Sequence, residues 1–113
     1  MQSGVMQRAL EVVRYTVKAG SEQLSLEAWP SAEAALRARF PGLIRCVRSR
    51  SDERQWVDVL EWSSLDEAVQ AAGEVGAIPE VAAWMMCIEE VHSFEHGVIM
   101  HAAPIDPVGV SPA

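Results

Sequence analysis

Several classes of function can be set aside because this chain lacks the residues they need. Only two of its 113 residues are cysteines, Cys46 and Cys87, with no Cys-x-x-Cys spacing. A disulfide framework, a zinc site and a dithiol redox centre are therefore not expected, and two reduced thiols in a cytoplasmic protein are. No glycine-rich phosphate loop and no nucleophile constellation occurs. Lysine and arginine number 9 against 16 acidic residues, a net charge of −7. That sign disfavours nucleic acid and anionic membranes, both of which need clustered cations. The longest apolar run, Val81 to Ile88, is too short to span a bilayer. Met1 to Arg8 carry no basic stretch followed by an apolar one, so no secretory signal is expected. Internal repeats are absent too.

What remains is a composition that folds. Half of the residues are apolar and 22% are charged, and four are tryptophans. One domain over residues 8–101 is expected, with residues 1–7 flexible and the proline-containing residues 102–113 a loose tail. Leu10 to Val17 is β-branched, aromatic and free of breakers, and reads as a first strand. Ser21 and Glu22 open a helix whose stripe is Leu24, Ala28, Ala32, Ala35 and Leu36. Pro30 predicts a kink, or a restart capped by Ser31. After Pro41-Gly42, the segments Leu43–Ser49 and Gln55–Trp62 read as a hairpin. Ser64 and Glu67 form a capping box before a second helix, a short helical piece follows Pro79, and a last strand lies within Ile88–Met100, interrupted at Gly97. The order β-α-β-β-α-β predicts an α+β, ferredoxin-like split β-α-β domain with a four-stranded antiparallel sheet.

Helices cover one side of such a sheet, yet apolar residues point to both. On the third strand Trp56, Asp58, Leu60 and Trp62 share one face, opposed by Val57 and Val59. A homodimer follows as an expectation, with the two sheets meeting face to face around an apolar cavity for a small hydrophobic or aromatic molecule.

The segments VVRYTVKAGS, PGLIRCVRS and QWVDVLEWSSLDEAVQAA, with the tryptophan-bearing stretch before the last strand, resemble the antibiotic biosynthesis monooxygenase family. The resemblance covers Leu10 to His101. It implies a dimeric α/β barrel, and it implies oxygen chemistry without a cofactor on aromatic or polyketide, quinol-like substrates. Haem-degrading members carry a strand-one asparagine, a tryptophan ending strand three and a histidine on the second helix. Trp62 matches the tryptophan; Val13 stands at the asparagine position, and no histidine lies between Glu53 and Glu90. No haem and no metal is expected.

Each candidate residue has an ordinary explanation beside its functional one. Asp58 between two tryptophans needs an ion pair, with Arg45 or Arg48 across the hairpin, or else is a cavity base with a raised pKa. His92 and His96 are expected to share a strand face around Phe94, as surface groups, as ligand contacts or, for His96, as a proton-transfer residue. Tyr15, Trp56 and Trp62 are core residues or cavity walls. Trp29 and Trp84 are core or lid. Two functions stay open: an oxygenase using His96 or Asp58 as base, or a non-catalytic, ligand-binding or stress-linked accessory protein. Cys46 and Cys87 are expected on opposite edge strands.

Overall fold

The computed structural model describes residues 7–104, so most of the expected N-terminal and C-terminal tails lie outside the described residues. Strand β1 (Ala9–Val17) leads into helix α1 (Glu22–Arg39), the hairpin β2 (Leu43–Arg50) and β3 (Gln55–Trp62), and helix α2 (Leu65–Glu74). A single 3₁₀ turn (Val75–Ala77) and helix α3 (Pro79–Met85) precede β4 (Ile88–Val98). The sheet order is β2-β3-β1-β4, and every neighbouring pair is antiparallel. This is the ferredoxin-like arrangement.

Local chemistry sets the joints. Gly20 takes φ 89°, a left-handed value open to glycine, and turns the chain from β1 into α1. In the hairpin, Asp52 Oδ1 accepts from the backbone N–H of Arg54 at 2.8 Å and of Gln55 at 3.0 Å. At α2, Ser64 Oγ accepts from the Glu67 N–H at 3.2 Å, as the capping box requires. The Glu67 carboxylate then accepts from the hydroxyls of both Ser63 and Ser64. It lies directly over Gly42, leaving no room there for a Cβ.

Helix α1 differs from expectation in two ways. It runs on through Pro30 as one helix and does not restart at Ser31, with Pro30 and Leu26, the residue whose carbonyl loses its intrahelical partner, both exposed. Its buried face is Ser25, Ala32 and Leu36, while Leu24 is 57% exposed. Ser25 satisfies its hydroxyl on the Glu22 carbonyl at 2.8 Å, which makes a small polar residue acceptable in the seam. Strand β4 also continues through Gly97 rather than breaking there.

The register sorts side chains between the two faces. Tyr15 and Val17 of β1 and Trp56, Leu60 and Trp62 of β3 pack under Ala32 and Leu36 of α1, Ala68 and Ala71 of α2, and Val81 and Trp84 of α3. The opposite, helix-free face carries Leu10, Val12, Val47, Val57 and Val59 in adjacent register. Leu10 and Val47 stay exposed there. Cys46 lies on β2 and Cys87 immediately before β4, the opposite edges of the sheet, and both thiols are free.

Candidate functional site

Between the helices and the sheet lies a cavity of about 140 Å³. Its walls are apolar apart from Glu11, Tyr15 and Asp58 at the sheet, where Trp62 also lies, with Trp29 of α1 and Trp84 of α3 closing over them. Met85, Val91 and Phe94 also line it and are 40–49% exposed, marking the mouth beside β4. This cavity is built within a single chain, on the helix-covered side of the sheet.

Arg48 answers the choice of partner for Asp58. β2 pairs with β3 so that Arg48 lies opposite Asp58, with Nε 3.4 Å from Oδ1. The Tyr15 hydroxyl donates to Asp58 Oδ2 at 2.8 Å and accepts from Arg48 Nη2 at 3.0 Å, which closes the triad. Aromatic rings wrap the guanidinium: its centre is 4.2 Å from Trp29, 4.3 Å from Trp56 and 5.4 Å from Trp84. Tyr15 stacks parallel to Trp56 at 6.5 Å and meets Trp84 edge-on at 5.7 Å. Burial pushes the Asp58 pKa up, against the pull of Arg48 and the Tyr15 hydroxyl. Burial and the adjacent Asp58 charge raise Tyr15 strongly, so its phenol stays protonated and donates. Burial, with Asp58 adding to it, also pushes the Cys46 thiol up to about 11, leaving it a poor nucleophile.

A second acidic group lies further along β1. Glu11 is buried at 7% exposure, and its Oε1 is 3.0 Å from His96 Nε2 on β4. Burial raises its pKa; the His96 hydrogen bond and charge pull it back down. The indole N–H groups of Trp56, Trp62 and Trp84 are buried and meet no hydrogen-bond partner among the described residues. The Trp62 N–H favours the Glu11 carboxylate without meeting hydrogen-bond geometry.

No family model matches the chain, and no curated protein matches it. Solved structures do. SnoaB, a cofactor-independent oxygenase from Streptomyces nogalater, is 22% identical with a TM-score of 0.63, over 88% of this chain and 97% of its own. A dimeric ferredoxin-like protein from an uncultured marine organism is 16% identical with a TM-score of 0.59, over 88% and 94%. A protein from Bordetella bronchiseptica, provisionally assigned as an antibiotic biosynthesis monooxygenase, is 18% identical with a TM-score of 0.63, over 81% and 96%. This chain shares their fold. At such identities the likeness speaks for the fold alone.

The structure brings Tyr15, Asp58 and Trp62 to the cavity wall, with Trp56 behind Tyr15 and His96 behind Glu11. His92 is elsewhere. Register shifts between Arg14 and Tyr15 and between Thr16 and Val17 put extra residues into β4, so His92 and His96 do not share a face. His92 Nε2 lies 2.6 Å from Thr16 Oγ1, and its Nδ1 lies 3.6 Å from Glu90, away from Phe94, which meets His96 edge-on at 5.1 Å. Among the described residues no group of three or more His, Cys, Asp or Glu is placed to hold a metal ion. No described helix is long and apolar enough to cross a membrane. Glu11 and the Arg48 cage were missed by sequence reasoning. The parity of Ala9, Glu11, Val13, Tyr15 and Val17 was a usable signal, because it puts one carboxylate on the same face as the buried tyrosine.

Proposed function

We propose that the chain is an antibiotic biosynthesis monooxygenase-like protein that works as a homodimer. In this reading its helix-side cavity oxidises a small aromatic, quinol-like molecule with molecular oxygen and no cofactor. One observation carries the reading: an apolar cavity of about 140 Å³ with buried carboxylates on its wall. An engineered apolar cavity of about 150 Å³ takes up benzene, so the volume fits one ring better than a fused polyketide.

Such a site supplies what direct oxidation needs. A base removes the phenolic proton, and the electron pair left on the ring makes it a reductant. The anion passes one electron to oxygen, and the two radicals join as a carbon-bound peroxide. Loss of water leaves a carbonyl, so one oxygen atom ends in product and one in water. Desolvation by Trp29, Trp62 and Trp84 raises the energy of the anion before transfer, and the cavity fixes its orientation. Two groups stand ready for the proton: Asp58, and Glu11 with His96 behind it.

A second reading has its own support. Asp58 is already engaged by Arg48 and Tyr15, which suits a receptor for a hydrophobic ring that carries out no chemistry. Oxygen uptake separates the two. With hydroquinone and methylhydroquinone, the enzyme consumes one oxygen per ring oxidised, well above autoxidation. Binding of either compound with uptake at the autoxidation rate would sink the enzyme reading and leave the receptor.

A further inference from the structure

We propose that Glu11 is the proton acceptor of the cavity and that His96 is the residue through which that proton leaves for solvent. This rests on the cavity being a deprotonating site, and it chooses between the two groups there.

The choice is made by where a proton could go next. Asp58 has both oxygens engaged, Oδ2 by the Tyr15 hydroxyl and Oδ1 by Arg48. Tyr15 is 1% exposed, and Arg48 is held among three indole rings. A proton delivered to Asp58 would weaken its pairing with Arg48 and meet no group able to carry it outward. Glu11 differs on each point. It lines the cavity, and among the described residues it has no arginine or lysine partner and its one hydrogen-bond partner is an imidazole. That imidazole sits on edge strand β4, with its side chain 16% exposed and the Glu11 side chain 10% exposed. The pair spans the wall of the cavity from inside to rim.

The surroundings leave little else to act on Glu11. From β3 it faces Asp58 and Trp62, and from β4 His96. The helices contribute only apolar and indole side chains to the cavity. Burial makes the carboxylate hold a proton more tightly, while His96 opposes this, which moves Glu11 toward the range where a base both accepts and releases.

The steps balance. The phenol O–H bond breaks, its electron pair stays on the ring oxygen, and the proton goes to the Glu11 carboxylate. At rest Nε2–H of His96 donates to the Glu11 carboxylate; once Glu11 is protonated, His96 exchanges with solvent to its Nδ1–H form and takes the Glu11 proton at Nε2. The imidazolium then loses its Nδ1 proton to water, which restores Nε2–H facing the carboxylate.

4-Nitrophenol tests this without oxygen, since its phenolate is coloured and one ring fits the cavity. Stopped-flow mixing under nitrogen would follow both the phenolate band and proton release to an indicator dye. The wild-type protein should bind and ionise the phenol at a pH where the free compound is mostly neutral. Glu11→Gln should bind it, by calorimetry, and leave it neutral. His96→Ala should ionise it with proton release slowed about tenfold or more, and imidazole in the buffer should restore the rate. Ionisation undiminished in Glu11→Gln, or proton release unaltered in His96→Ala, overturns the assignment alone. If the wild-type protein binds no phenol, the reading of the cavity falls as well.

Discussion

Asp58 sits between two tryptophans on an inner strand, where a carboxylate must be paired or protonated to be tolerated. The structure supplies two partners. Arg48 brings the opposite charge and Tyr15 a neutral donor, while the guanidinium itself is solvated by indole faces rather than by water. The arrangement is sensitive to the loss of either charged member, because the charge left behind stays buried. Asp58→Asn keeps the shape and removes the charge, so Arg48 is left without its counter-ion. Urea denaturation should show a loss of about 3 kcal/mol, against about 1 kcal/mol for Tyr15→Phe, which removes one hydrogen-bonding hydroxyl. Equal losses for the two would mean that the ion pair contributes nothing beyond the hydroxyl.

At the scale of elements, legibility followed regularity. Strand β3 alternates strictly, so the face shared by Trp56, Asp58, Leu60 and Trp62 could be read from period alone, and all four are buried. Strand β4 could not be read that way. Its two register shifts reset the parity, and nothing in EEVHSFEH marks where an extra residue enters. The stripe of α1 failed for a different reason: an alanine-rich helix offers several comparable faces, and tertiary packing on Trp29, Ala32 and Leu36 selected one. Nor could the cavity be placed from sequence, since its walls come from β1, β3, β4 and all three helices and meet only in the folded chain. The joint between β2 and α2 is a place where local sequence does dictate structure. Glu67 folds over Gly42 to reach Ser63 and Ser64, so Gly42→Ala must expel the carboxylate and lose the cap. Thermal unfolding should report a cost of roughly 1–3 kcal/mol. In Glu67→Ala, where the obstruction is already gone, adding Gly42→Ala should cost far less. Full additivity of the two changes would contradict this coupling.

For the molecule as a whole, the decisive surface is the helix-free side of the sheet. Val12 pairs with Val59, which pairs with Val47, and Leu10 and Val57 flank them. Arg14, Arg45, Glu61 and Glu95 lie on the same side of the sheet by register, leaving an apolar strip among charges of both signs. A second copy of this chain offers the same strip, and a twofold axis at Val59 would set Val59 against its own copy and the flanking apolar residues in reciprocal pairs, with the charges at the margin. Burying the strip would stabilise the pair without touching the cavity, which opens on the other side of the sheet. Dimerisation and ligand binding should therefore separate. In sedimentation the wild-type chain should run as a dimer at micromolar concentration. Val59→Asp, which puts an unpaired charge at the centre of the strip, should run as a monomer that still binds 4-nitrophenol within a few-fold of the wild-type affinity. Loss of binding together with the dimer would mean that the partner completes the site. A wild-type chain that sediments as a monomer would leave the valine strip without its proposed cover.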